Sequence, residues 1–127
     1  MAIRQSALEV MVIMEHQFNN IYQGKRVLVT GHTGFKGSWL SLWLSELGAD
    51  VYGYALPPPT KPCLYDDADV VSALAGYEIG EVRDKFRLKA YVEKVKPEFV
   101  FHLAAQPLVR RSFDEPAETY ETNVMGT

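Results

Sequence analysis

Residues 26–44 read RVLVTGHTGFKGSWLSLWL, and this stretch decides the fold. Arg26–Thr30 is a continuous run of strand-forming residues rather than an alternating one, as expected of a central strand covered by helices on both faces. Three glycines follow at a spacing of three, Gly31, Gly34 and Gly37. Leu40, Trp43, Leu44 and Leu47 then recur at i, i+3, i+4 and i+7, with Trp39 widening the stripe, which predicts an amphipathic helix ended by Gly48. A strand, a glycine-rich turn and a helix in this order point to a site where free backbone N–H groups meet an anion. The first glycine permits the turn, the second lets backbone approach a diphosphate, and the third lets the helix pack closely. The spacing is G-x-x-G-x-x-G rather than the commoner G-x-G-x-x-G.

The pattern continues as alternating strands and helices, the signature of parallel βαβ units. A second strand is expected at Asp50–Leu56, then an irregular proline-rich loop, PPPTKP, and a short helix within Asp66–Ala75. A third strand is expected at Tyr77–Val82, and a helix at Asp84–Lys96 with Leu88, Tyr91, Val92 and Val95 on its buried face, stopped by Pro97. Glu98–Ala105 reads as a fourth strand, and Pro116 opens a last helix, inside which the sequence stops at Thr127. The fold class is therefore α/β, a Rossmann-type doubly wound parallel sheet with about four strands. A complete six-stranded dinucleotide fold needs about 180 residues, so residues 21–127 are expected to be the front part of such a domain. Residues 1–20 read as a poorly ordered extension.

The chain has 127 residues, 47% of them hydrophobic, with 13 Lys and Arg against 16 Asp and Glu, a net charge of −3. No run of like charge supplies a footprint for nucleic acid or an anionic membrane. No stretch approaches the ~20 apolar residues of a membrane helix. Cys63 is the single cysteine, which excludes an internal disulfide and fits a reducing, cytoplasmic setting. His16, His32 and His102 are too dispersed to hold a metal. His102 is expected to be a satisfied core residue, and Trp39 and Trp43 to serve packing.

No acidic residue stands at the end of the second strand to take the ribose hydroxyl of NAD; Tyr54, Ala55 and Leu56 occupy that place. Lys36 or Lys61 could instead meet a 2′-phosphate, which leaves NADP open on the residues alone. Glu81 could accept from an adenine amino group. Ala104 and Ala105 are small enough for a cofactor to lie against them, or for tight helix–sheet packing.

TGHTGFKGSWLSLWL, IGEVRD, VFHLAAQPLVRRS and ETYETNVMGT, in this order, resemble the N-terminal part of the CDP-glucose 4,6-dehydratases, a branch of the extended short-chain dehydrogenase/reductases. Gln106, Pro107 and Leu108, following the paired alanines, separate the chain from the dTDP-glucose branch. The resemblance implies NAD as cofactor and CDP-glucose as substrate. It also implies a homo-oligomer when complete and a role in making 3,6-dideoxysugars of bacterial O-antigen polysaccharide. By motif it assigns Gly31, His32, Thr33, Gly34, Phe35, Lys36 and Gly37 to the diphosphate loop. Glu81, where the family usually has Asp, and Val82 fall to adenine; Leu103, Ala104, Ala105 and Gln106 fall to the nicotinamide ribose. Arg110, Arg111 and Ser112 would lie near the entering sugar nucleotide, or in a solvated loop, and Asn123 would brace the fourth strand. The family's catalytic Tyr-x-x-x-Lys pair is absent, since none of the seven tyrosines is followed four positions later by Lys. The resemblance places that pair, and the acid and base for water elimination, beyond Thr127. The 127 residues alone are thus expected to hold no catalytic residue and to be inert. Another nucleotide-sugar dehydratase or epimerase, and a non-catalytic nucleotide-binding module, are the alternative readings.

Overall fold

The computed structural model describes residues 17–127. The expected extension 1–20 therefore lies outside the described residues except for Gln17–Asn20, a short helical turn whose Phe18 ring meets Trp43 edge-on at 5.5 Å. His16 also lies outside them.

Four strands form one parallel sheet: β1 (Arg26–Thr30), β2 (Asp50–Ala55), β3 (Gly76–Ile79) and β4 (Phe99–His102), in the spatial order β3-β2-β1-β4. β1 is central, and Val27, Leu28, Val29 and Thr30 are all buried, which is why its sequence does not alternate. In register, Thr30 stands beside Tyr54 on one side and His102 on the other. The chain steps from β1 to β2 in one direction and reaches β4 on the other side, so the crevice between β1 and β4 is the point where strand order reverses.

Helix α1 (Phe35–Glu46) covers one face, with Leu44 packed against Val27, Val29 and Val51. A short α2 (Leu64–Asp67) follows the irregular proline loop. Helix α3 (Lys85–Val95) covers the other face, with Tyr91 and Val95 against Leu28, Tyr54 and Val82. Asp84 caps α3 by accepting from the Arg87 N–H at 3.1 Å. Lys96, in the left-handed region, and Pro97 end it. Helices α4 (Val109–Asp114) and α5 (Pro116–Tyr120) follow β4, and α5 runs on through a widened turn at Glu121–Met125.

Several expectations are corrected. The buried face of α1 is Gly37, Ser38, Ser41 and Leu44, whereas Trp39 and Trp43 are about half exposed. A methyl group on Gly37 would lie 2.0 Å from the Gly31 carbonyl oxygen. At so close an approach only small residues fit beneath the helix, and the tryptophans turn outward. β3 stops at Ile79 rather than Val82, because Gly80 crosses the Tyr54 hydroxyl, which donates to the Glu81 carbonyl at 3.2 Å. β4 ends at His102 rather than Ala105. His102 is exposed, not core, although its Nδ1 lies 2.8 Å from Thr30 Oγ1. Arg110 and Arg111, for which a solvated loop is one of the two readings, lie on a short helix, Val109–Asp114. The last helix does not carry through to Thr127: the widened turn closes at Met125, and Gly126 and Thr127 lie past it.

Candidate functional site

β1 delivers the glycine turn to the carboxyl end of the sheet. Gly31 adopts φ +78, and its N–H donates to the Tyr54 carbonyl at 2.9 Å. A side chain there would meet the main chain of Leu103 and Ala104 at 2.7–2.9 Å, so the turn after β1 and the segment after β4 touch directly. Gly37 is required by its contact with Gly31. Gly34 differs from both: its φ is −77, and the nearest atom to an added methyl is the Gly31 oxygen at an ordinary 3.4 Å. Nothing among the described residues demands a glycine at 34. Gly34 caps α1 without a side-chain bond, and the N–H groups of Phe35, Lys36 and Gly37 are the free donors of its first turn. An open glycine beside unpaired N–H groups at a helix start fits a diphosphate in close approach.

The other loop residues divide by direction. Phe35 and Lys36 are exposed, and Phe35 is 71% accessible. Thr33 Oγ1 donates to the Leu56 carbonyl at 2.8 Å, tying the loop to the end of β2. The His32 ring is turned under the sheet, fully buried against Gly53, with Tyr65 edge-on at 5.5 Å and Tyr77 at 6.0 Å. Neither ring nitrogen has a hydrogen-bond partner. Burial pushes its pKa down to about 4, against the opposing pull of the Tyr54 main chain. His32 is thus a neutral packing ring, and its carbonyl accepts from Ser38 Oγ at 3.0 Å.

Thr30, which the sequence reading did not single out, organises the opposite wall. Its hydroxyl accepts from the N–H groups of Leu103 (3.1 Å) and Ala104 (3.3 Å) and meets His102 Nδ1. The one available signal was a hydroxyl ending an otherwise aliphatic strand. Farther along, Asn123 grips Gln106 at both main-chain groups: Gln106 N–H donates to Asn123 Oδ1 at 2.7 Å, and Asn123 Nδ2 donates to the Gln106 carbonyl at 3.2 Å. Gln106 Nε2 also donates to Thr119 Oγ1 at 2.9 Å. Leu103 to Gln106 are therefore held from both ends, with Ala105 exposed.

Thr127, expected only as the residue beyond which the catalytic pair would follow, belongs to this brace. Its hydroxyl donates to the Asn123 carbonyl at 3.0 Å and lies 3.5 Å from His102 Nε2. Thr127 is exposed, and its hydroxyl ties the Asn123 backbone to the end of β4.

Glu81 lies beyond β3, its carboxylate paired with Arg83 at 3.1 Å, and Arg83 also reaches Glu121 at 3.1 Å. Val82 is packed in the core, 7% exposed. On α4, Arg111 makes a bidentate pair with Glu118, and Ser112 Oγ donates within its own helix to the Val109 carbonyl. Arg110 is exposed and, among the described residues, in no ion pair. The structure thus brings together residues 31–37, 103–106 and Asn123, and leaves Arg110–Ser112 on a neighbouring helix.

A family model described as GDP-mannose 4,6 dehydratase matches residues 28–127. The chain is 58% identical over 108 residues to the CDP-glucose 4,6-dehydratase of Salmonella typhimurium, covering 85% of this chain and 30% of that protein. It is 32% identical to the GDP-mannose 4,6-dehydratase of Vibrio cholerae, covering 81% of this chain and 29% of that one. Among solved structures, the UDP-glucose 4-epimerase of Brucella ovis in complex with NAD superposes with a TM-score of 0.67 at 30% identity, over 81% of this chain and 30% of that one. The chain spans about 30% of the length of the curated relatives it matches.

Proposed function

The chain belongs to the GDP-mannose 4,6 dehydratase family of nucleotide-sugar enzymes, and from that premise we propose that it is the coenzyme-binding front part of an NAD-dependent CDP-glucose 4,6-dehydratase. The single observation that carries the reading is Gly34, a glycine the fold itself does not need, standing beside three free helix N–H groups. In this reading the N–H groups of Phe35, Lys36 and Gly37 receive the diphosphate. Thr30 and Asn123 hold Leu103–Gln106 as the wall along the nicotinamide ribose, and Glu81 and Val82 border the adenine. When bound, the nicotinamide would supply the redox chemistry, and these residues would hold and orient it.

The chain's own residues bind and orient; none of them moves the proton. A tyrosine whose hydroxyl is acidified by a neighbouring lysine is what takes a sugar hydroxyl proton, and no Tyr-x-x-x-Lys occurs from Met1 to Thr127. We therefore assign coenzyme capture but no turnover to these residues, and place the complete enzyme, a homo-oligomer, in the cytoplasm, feeding dideoxysugar synthesis for surface polysaccharide. The similarity to CDP-glucose dehydratase over 85% of the chain supports CDP-glucose as substrate.

Calorimetric titration tests the coenzyme step. NAD should bind the chain, more tightly than NADP, and Gly34→Val should weaken binding at least tenfold while leaving the circular dichroism spectrum unchanged. Unchanged affinity in that variant would remove the diphosphate assignment. Product from CDP-glucose and NAD with the 127 residues alone would refute the division of labour.

A further inference from the structure

Register sets Thr30 of β1 beside His102 of β4, and the two side chains meet, with Thr30 Oγ1 2.8 Å from His102 Nδ1. Thr30 is 2% exposed, which leaves water little part in the bonding of its hydroxyl. A hydroxyl has one hydrogen to give and two lone pairs to receive with. Both lone pairs are taken here, by the N–H groups of Leu103 at 3.1 Å and Ala104 at 3.3 Å. The hydrogen remains, and among the described residues His102 Nδ1 is the one acceptor within its reach. Were Nδ1 to carry a hydrogen itself, the oxygen would face three donors with two lone pairs, and its own hydrogen would be left buried without a partner.

This count fixes the ring. Nδ1 accepts, so the neutral imidazole carries its hydrogen on Nε2. Nε2 lies 3.5 Å from Thr127 Oγ1, a hydroxyl that already donates to the Asn123 carbonyl and is therefore open to accept. The direction is the same from β1 to the final turn: Thr30 gives to His102, His102 faces Thr127, and Thr127 gives to Asn123. At each end stands a clamp on one segment, Thr30 on Leu103 and Ala104, and Asn123 on Gln106.

We propose that His102 is a positioning residue, held as the Nε2–H tautomer, which draws the Thr30 hydrogen away from the crevice wall and frees the oxygen to receive both wall N–H groups. Leu103 and Ala104, held in this way, keep their contact with Gly31 and so keep the crevice at one width. The consequence for NAD rests on residues 103–106 being the nicotinamide-ribose wall; the ring state and the clamp on Ala104 stand apart from it.

The test begins with a long-range ¹H–¹⁵N spectrum of the histidine rings in the labelled 127-residue chain at pH 8, with His102 assigned by its loss in His102→Asn. An exposed ring with no fixed partner is free to populate both tautomers. His102, although exposed, should show a single species, with Nδ1 bare and Nε2 protonated, and an Nδ1–H species should appear beside it in Thr30→Val. Amide exchange is the second arm. His102→Leu offers Thr30 no acceptor and should quicken exchange at Ala104 about fivefold, in line with loss of a neutral hydrogen bond. His102→Asn, whose Oδ1 branches from the same carbon as Nδ1 and can accept in its place, should restore the slower rate. NAD affinity should follow the same order, about fivefold weaker in His102→Leu and recovered in His102→Asn. An Nδ1–H species in the parent chain, a ring spectrum unmoved by Thr30→Val, or equal exchange in His102→Leu and His102→Asn overturns the proposal, as does equal NAD affinity in His102→Leu and a parent chain that binds. A parent chain that binds no NAD would strike the coenzyme reading, and the ring spectrum and the exchange rates would then decide this one.

Discussion

A methyl group on Gly31 would lie 2.7 Å from the main-chain nitrogen of Ala104. The turn after β1 and the exit of β4 are therefore in backbone contact, and Gly31→Ala must both strain a φ of +78 and push the two apart. The expected loss is about 2–4 kcal/mol in thermal or urea unfolding. Gly34→Ala, by contrast, should change stability by less than about 0.5 kcal/mol. The pair separates a glycine the fold needs from one a ligand would need.

His32 predicts acid sensitivity. Its folded-state pKa of about 4 lies below the ordinary 6.5, so between these values the unfolded chain binds the extra proton. The neutral ring's contribution is complete above pH 6.5, declines as pH falls, and is fully lost below about 4. The drop should be on the order of 3 kcal/mol. Denaturant midpoints measured from pH 7 to 4 check this, and His32→Leu should flatten the slope, since neither nitrogen has a partner to lose.

Gly53 and His32 should be energetically coupled. A methyl on Gly53 would stand 2.5 Å from the His32 ring. Gly53→Ala alone should cost about 2–3 kcal/mol, and in a double-mutant cycle with His32→Ala the two costs should fall short of additivity by more than about 1 kcal/mol.

Thr30→Val keeps shape and removes the hydroxyl that the Ala104 N–H donates to. An orphaned buried donor predicts a loss of about 1–2 kcal/mol. Hydrogen exchange should quicken at Ala104 more than at Leu103, whose N–H also reaches the Thr30 carbonyl at 3.1 Å.

Asn123→Asp retains the acceptor for the Gln106 N–H and loses the donor to its carbonyl. Asn123→Leu loses both. The losses should rise in that order, from about 1 to about 2 kcal/mol, with exchange at the Gln106 amide quickening only in the second.

The strands and the glycine turn were legible because a parallel sheet buried on both faces leaves an unbroken aliphatic run, and Val27–Val29 is one. The buried face of α1 was legible only in Leu40 and Leu44, because apolar periodicity presumes that all large side chains seek the core. Here the contact between Gly37 and Gly31 leaves a gap only Ser38 and Ser41 can fill, and both hydroxyls are satisfied, Ser41 by the Gly37 carbonyl at 2.7 Å. Helix α4 escaped notice because its residues, VRRSFD, bury no stripe; every one but Ser112 is exposed. The position of His32 between glycines reads as loop, and nothing in its neighbours along the chain announces that Gly53 makes room for its ring. Thr30 reads from the sequence only as the last residue of a strand, although two N–H groups some 73 residues away depend on its oxygen.

The Thr30 hydroxyl and the Gly31 contact together fasten both banks of the crevice to one strand. Its width is then set by adjacent atoms of a single rigid element and cannot be retuned by shifting one bank alone. Divergence toward other ligands has its freest route at residues 56–62, where the chain leaves β2 through Pro57, Pro58 and Pro59 and, among the described residues, is hydrogen-bonded to the glycine turn only by the Thr33 hydroxyl.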